Sequence, residues 1–269
     1  MSDAGGGPDE SGTVTTAVAA GVVRLAAPGS RWLATGHDGG YSEAAAAYNV
    51  SVPEGFDRTD LAAYTRTRRE RAGFSRPGPT LLTGVDARHA RGARRGPVTV
   101  VATAGVSNPA ALPVDGAGER VPGEGSEDSA GAGGNYEGVP EVHAGGPGTV
   151  NLLVHADRAL ADGALATLLG VVVEAKTATL LARTGFPGTT TDAAVVGCRP
   201  AGDPAEFAGS ATEVGAAARA CVREAVSASL DARYAETALP ASVRDAEYGV
   251  ATTGRATAFD PRDGGARGE

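Results

Sequence analysis

The chain has 269 residues, a formal net charge of −8, 42% hydrophobic but only 4% aromatic residues, and 40 glycines. That length suits one large domain or two small ones, and the recurring Leu/Val/Ala runs exclude a wholly disordered chain. Cys198 and Cys221 are too few for a disulfide framework or a CxxC metal site. Both are expected as small buried apolar residues in a reducing cytoplasm. The start, MSDAGGGPDESG, is acidic and Gly-rich, unlike a signal peptide. No apolar stretch is expected to reach the roughly 18 residues that span a bilayer.

In chain order, residues 1–12 read as a disordered tail. Residues 14–25 and 31–35 are β-rich runs that end in Gly-containing turns. A short strand is expected at 48–52 and a helix at 59–71. Strands are expected at 80–85, 98–104, 149–155 and 193–197. The run at 98–101 is continuous and β-branched, as in a strand covered on both faces. Between two of these strands, 116–147 is almost wholly Gly, acidic residues, Ser and Pro, and reads as a disordered insertion within one domain. Two long helices follow. One spans about 158–184, with Asp157 as N-cap and Gly185 as its stop. The other spans about 211–236, where Ser210 and Glu213 match an S-x-x-E capping box. Its residues Val214, Ala218, Cys221, Ala225 and Ser229 form a face of small side chains. The domain is expected to occupy 13–240, with 241–269 as an extension largely disordered after 260. Strands early and long helices late give an α+β class, with an α/β layered sandwich as the alternative.

Composition carries further clues. Ile and Gln are absent, there are four Asn, and Lys176 is the single lysine among 24 basic residues. A GC-rich coding bias is the simplest cause. Acidic, Lys-poor sequences also suit a salt-loving cytoplasm. Under such a bias, a retained Lys or Asn marks a place where Arg or Asp would not serve. Nine arginines lie between 66 and 95, opposed by Glu70 and Asp86 alone. With little aromatic interleaving, this window reads as a solvated face and not as a nucleic-acid surface.

The common catalytic motifs are missing. There is no GxxxxGK[ST] and no HExxH, and the four His (His37, His89, His143, His155) are scattered. No protein-held metal or cofactor is expected. Gly105-Val-Ser107-Asn108-Pro109 approaches a nucleophile elbow, but Pro109 replaces the closing Gly. Four polar clusters punctuate the apolar elements instead: TAGVSN at 103–108, GTVN at 148–151, EAK at 174–176 and GTTTD at 188–192. Each alone is compatible with turn hydrogen bonding or a solvated ion pair.

Helix geometry separates the two charges of EAK. At about 100° per residue, Leu165, Leu168, Leu169, Val172 and Leu180 span an arc of about 120° that includes Lys176. Glu174 lies about 160° away from Lys176, so the two do not face each other. Lys176 therefore points toward the packed side or a cleft. A buried ammonium is costly unless paired, and Asp192 is its expected partner.

Taken in order, TAGVSN, GTVN, EAK and GTTTD resemble the adenosylcobinamide amidohydrolase family (CbiZ). The upstream ATGHDGG at 34–40 resembles that family's early Gly-rich turn, and the likeness covers roughly 20–235. Pro109 and the 116–147 insertion depart from the pattern. The resemblance implies a cytoplasmic salvage enzyme that hydrolyses the amide joining aminopropanol to the corrin ring of adenosylcobinamide. The products are adenosylcobyric acid and 1-amino-2-propanol, used in cobalamin biosynthesis. It implies a small-molecule corrinoid substrate, with neither nucleic acid nor membrane as partner.

Amide hydrolysis needs an activated water or nucleophile, a stabiliser for the oxyanion and a proton for the leaving amine. The expected catalytic residues are Lys176, Glu174, Asp192 and Asn108. Thr103, Ser107, Asn151, Thr189, Thr191, Gly39 and Gly40 are expected to bind substrate. A Thr or Ser nucleophile stays open. So do a non-catalytic corrinoid-binding protein and, from composition only, an Arg-patch anion or nucleic-acid binder.

Overall fold

The computed structural model describes residues 13–114, 148–199, 201–246 and 248–263. The 1–12 tail and the expected 116–147 insertion lie outside the described residues.

Strands β1 (Thr15–Ala19) and β2 (Val22–Ala34) form a hairpin. Its two-residue turn is Ala20–Gly21, with φ of 45° and 75°. Two left-handed residues match the right-handed twist of the paired strands, and they split the 14–25 run in two. β2 is one long strand with a bulge between Ala26 and Ser30. Pro28, which has no N–H for a ladder, sits in that bulge. Before the bulge β2 pairs with β1, and after it with β9 (Ala193–Arg199). β3 (Gly40–Ser51) extends the expected short strand to 12 residues. Helix α1 (Leu61–Arg71) is capped by Asp60, whose carboxylate accepts from Ala63 N at 3.0 Å. β4 (Thr80–Thr83) returns parallel to β3.

The second half of the sheet comprises β5 (Arg91–Arg95), β6 (Val98–Ala104), β8 (Val150–Ala159) and β9 (Ala193–Arg199). Its order is β4-β3-β2-β9-β8-β6-β5, with β1 added beside β2. β3/β4 and β8/β9 are parallel, and the other pairs are antiparallel. Helix α2 (Asp162–Thr184) makes the crossover from β8 to β9, and α3 (Glu213–Arg233) packs beside it. A separate two-stranded ribbon pairs β7 (Ala110–Ala111) with β10 (Val250–Ala251). This is a mixed sheet with its strands concentrated early and its long helices late, an α+β domain.

One side of β6, β8 and β9 presents Val100, Ala102, Leu152, Val154 and Val196 to α2 and α3. The expected small-residue face of α3 is buried there. The other side packs Val101, Leu153 and Val195 against Val23, Leu25, Trp32, Ala47 and Leu81 of the first half. Both cysteines are buried, and burial pushes both thiols up.

Several local expectations are corrected. β8 continues to Ala159, so α2 starts at Asp162 and its N-cap is Ala161. Asp157 instead pairs with Arg199. Gly185 does end the helix, at φ 77°. The α3 cap is Thr212, whose hydroxyl accepts from Gly215 N at 3.0 Å, and not Ser210. α2 is long and apolar enough to cross a membrane by length and composition, contrary to expectation. Its apolar stripe is nevertheless buried on the sheet and α3. The Arg-rich window is not uniformly solvated either. Arg69 is buried, and Arg68 donates to Ser51 O at 2.7 Å and Ala20 O at 3.1 Å.

Candidate active site

The end of β6 lies beside the start of β8, with Ala104 opposite Val150. The start of β8 lies beside that of β9, with Asn151 opposite Ala193. Three polar clusters distant in sequence therefore meet at one end of the sheet. Helix α2 places Lys176 against them.

The centre is Asp192. Its Oδ2 accepts from Lys176 Nζ and, at 3.1 Å, from Thr189 N. Its Oδ1 accepts from Val150 N at 2.9 Å and Thr189 Oγ1 at 2.5 Å. Both members of the ion pair are largely shielded, with side chains 10% and 11% exposed. In such an environment an unpaired ammonium would be strongly destabilising, and a carboxylate with four donors is fully satisfied. Gly188 lies over the pair: a Cβ there would come 2.8 Å from Asp192 Oδ2 and 3.3 Å from Lys176 Nζ.

Asn108 forms the next layer. Its Nδ2 donates to Thr190 Oγ1 at 2.7 Å, and Thr190 N donates to its main-chain carbonyl at 3.2 Å. Thr191 Oγ1 lies 3.5 Å from Asn108 Nδ2 and 3.1 Å from Thr149 Oγ1. Asn108 Oδ1 is buried without a partner among the described residues. It faces Gly148, where a Cβ would come within 2.5 Å of it. Ser107 is half-buried in the same loop.

These groups border a cavity of ≈ 260 Å³ lined by Thr35, Gly36, His37, Thr83, Thr149 and Thr190 to Ala193, with apolar walls from Val52, Leu61 and Leu81. Asp192 reaches it directly, and Lys176 supports Asp192 from behind.

The other expected residues sit elsewhere. Thr103 and Asn151, each 1% exposed, belong to a sealed network inside the sheet. Asn49 Nδ2 donates to Thr103 Oγ1 at 2.8 Å, and Asn151 Nδ2 donates to Asn49 Oδ1 at 3.0 Å and Leu82 O at 2.8 Å. Asn151 Oδ1 accepts from Ala193 N at 3.1 Å. They position the strands under the site. Glu174 is on the outer face of α2, its side chain 68% exposed, 3.7 Å from Arg219. The geometry does not bring it to the cavity. Gly39 and Gly40 form the turn into β3. A Cβ on Gly39 would strike Ala34 O at 2.6 Å, and Gly40 holds φ at 104°. This turn presents Gly36 and His37 to the cavity.

Asn49, His37, Thr149 and Thr190 carried no individual expectation, although the last three lie in the ATGHDGG, GTVN and GTTTD motifs. The scarcity of Asn was a usable signal for Asn49. His37 lies within the ATGHDGG motif, but only the folded turn carries it to the cavity.

The family model for adenosylcobinamide amidohydrolase matches residues 9–238. A protein named adenosylcobinamide amidohydrolase from Halobacterium salinarum is 50% identical over 243 residues, covering 90% of this chain and 96% of that protein. The ordered clusters at the sheet end, the match across most of the domain and this identity agree: the chain belongs to the adenosylcobinamide amidohydrolase family.

Proposed function

We propose that this chain hydrolyses adenosylcobinamide at the amide linking aminopropanol to the corrin ring, releasing adenosylcobyric acid and 1-amino-2-propanol. The observation that carries the reading is the shielded Lys176–Asp192 pair, held by Thr189, beside a small cavity edged by threonines and His37. At ≈ 260 Å³ the cavity falls below the roughly 300–1,000 Å³ of sites that enclose a drug-sized ligand. It suits the aminopropanol arm and its amide, leaving the corrin ring at the mouth.

The proposed roles follow from position. Asp192 has all its acceptor directions occupied, so it positions Thr189 and Lys176 instead of taking a proton. The ammonium of Lys176 neutralises Asp192, so that no uncompensated negative charge opposes the tetrahedral oxyanion, and the hydroxyls of Thr190 and Thr191 donate toward it. His37 lines the cavity and makes no side-chain hydrogen bond to another described residue. It accepts the proton from the attacking water and returns it to the leaving amine as the C–N bond breaks. Water thus supplies the oxygen of the new carboxylate and the hydrogen of the amine. No group of three His, Cys, Asp or Glu side chains suited to a metal occurs among the described residues, so the proposal places no protein-held metal in the reaction.

The test is incubation with adenosylcobinamide and mass-spectrometric detection of both products, with and without chelator. His37→Asn should lower turnover by about 10²-fold, the ordinary contribution of a positioned acid–base group. Saturable corrinoid binding with no product would refute hydrolysis. Chelator-abolished turnover restored by zinc would refute the metal-free route.

A further inference from the structure

Next to the Asp192 cavity lies a second one of ≈ 350 Å³ between the start of β3, helix α1 and residues 77–80. The two share His37, and each takes adjoining residues of the same elements: Leu61 and Ala62 on α1, Leu81 and Thr80 on β4. A ligand anchored in the first therefore extends naturally over the second.

Three charged side chains define the second cavity. Arg69 is only 8% exposed, and its Nε is buried without a partner among the described residues. Its guanidinium carbon lies 5.7 Å from the Tyr48 ring centroid, which offsets part of the desolvation. Asp38 and Glu43 line the same space from exposed positions at the rim. None of the three makes an ion pair or a side-chain hydrogen bond with another described residue. A buried guanidinium normally recruits a carboxylate. Here two carboxylates border the same cavity, yet the fold holds them out of reach. Asp38 is itself fixed in the left-handed region, at φ 55°.

A cavity that keeps a donor and acceptors apart is matched by a group that carries both. A primary carboxamide does so, with a carbonyl for the guanidinium and an NH₂ for the carboxylates. A free carboxylate would be repelled by the rim, and an ammonium by the floor. We infer that this cavity is the subsite for carboxamide side chains at the edge of the corrin ring, with Arg69 donating to the amide carbonyl and Asp38 and Glu43 accepting from its N–H groups. The inference rests on the substrate reading above and extends it to what selects the ring.

The test uses the full chain and two readouts: turnover of adenosylcobinamide, and binding of adenosylcobyric acid, which lacks the arm, by absorbance titration. Arg69→Met should raise KM about tenfold and weaken product binding equally, with kcat within about twofold. Because Arg69 is buried, the exposed pair D38N/E43Q provides a second variant, expected to raise KM about threefold. Cobinamide bearing cyanide in place of the adenosyl group separates the ring edge from the nucleoside. Equal losses on both corrinoids support the ring-edge assignment. Losses confined to the adenosylated one overturn it in favour of the nucleoside. Unchanged KM and product binding in both variants also overturn it. If the parent binds adenosylcobyric acid but makes no product, hydrolysis fails while the binding readout still decides the subsite.

Discussion

The two sides of β6, β8 and β9 are both buried, yet they are built differently. The side facing the helices is apolar, with Val100, Leu152, Val154 and Val196 under Leu168 and Val172 of α2. The side facing the first half of the sheet mixes Val101 and Leu153 with Thr103, Asn151 and His155. Apolar packing is tolerant: volume-conserving exchanges cost little, and no single contact is indispensable. A buried polar network is not tolerant, because each atom needs its own partner in place. The helix side therefore supplies stability, and the network side fixes the strand ends that carry the site.

Lys176 tests this division most severely, since it sits on the helix side and serves the polar end. Lys176→Met should cut turnover by about 10³-fold or more, in line with loss of a preorganised charge. The melting temperature should fall, because Asp192 is left as a shielded carboxylate without its counter-charge, although it keeps three other hydrogen bonds. Lys176→Arg should also fail, as a planar guanidinium does not replace a compact ammonium. A well-folded Met variant with near-parental turnover removes Lys176 from the mechanism.

Leu168→Ala probes the helix side alone. It should cost about 2–5 kcal/mol in denaturant unfolding, as for a fully buried leucine, with turnover per folded molecule unchanged. A loss of kcat would show that the two sides are mechanically coupled.

His155 probes the network side through pH. Its ring is buried, with Nε2 2.8 Å from Ser30 Oγ and Nδ1 without a partner among the described residues. Burial lowers its pKa from 6.5 to about 4. Between those values the unfolded chain binds the extra proton and the folded chain does not. The stability contribution is therefore complete above pH 6.5 and is lost as pH falls toward 4. The shift corresponds to about 3 kcal/mol as an upper scale. His155→Asn should flatten this slope in chemical denaturation, and an unaltered slope would assign acid sensitivity to other groups.

Asn151→Ala should cost about 1–3 kcal/mol by orphaning Asn49 Oδ1 and Ala193 N, and it should lower kcat as well. Stability loss with full activity would make the network a mere core filler. The smallest effect belongs to Glu174→Ala. Its exposed pair with Arg219 is worth at most about 1 kcal/mol, and turnover should change less than twofold.

Much of this was legible before folding. The helix arc placed Lys176 inward and Glu174 outward, and Asp192 is indeed the lysine's partner. The β6 run from 98 to 104 and the Gly185 stop were read directly from side-chain type. Boundaries that depend on what a segment packs against were not. Asp157 resembles a cap, but β8 runs on and pairs it with Arg199. Thr103 and Asn151 sit in site-like motifs, but strand alternation turns them inward onto Asn49.

From the sequence alone came the periodicities, the inward charge and the ordered polar clusters, because a helix's 3.6-residue repeat and a glycine's conformational freedom are local properties. Tertiary structure alone decided which of those clusters face a cavity. It brought His37 beside Asp192 from 155 positions away, and it buried Arg69 without a counter-ion among the described residues. Such outcomes depend on strand order and on the β2 bulge that switches partners from β1 to β9. Long-range pairings of this kind leave no short-range pattern in the chain.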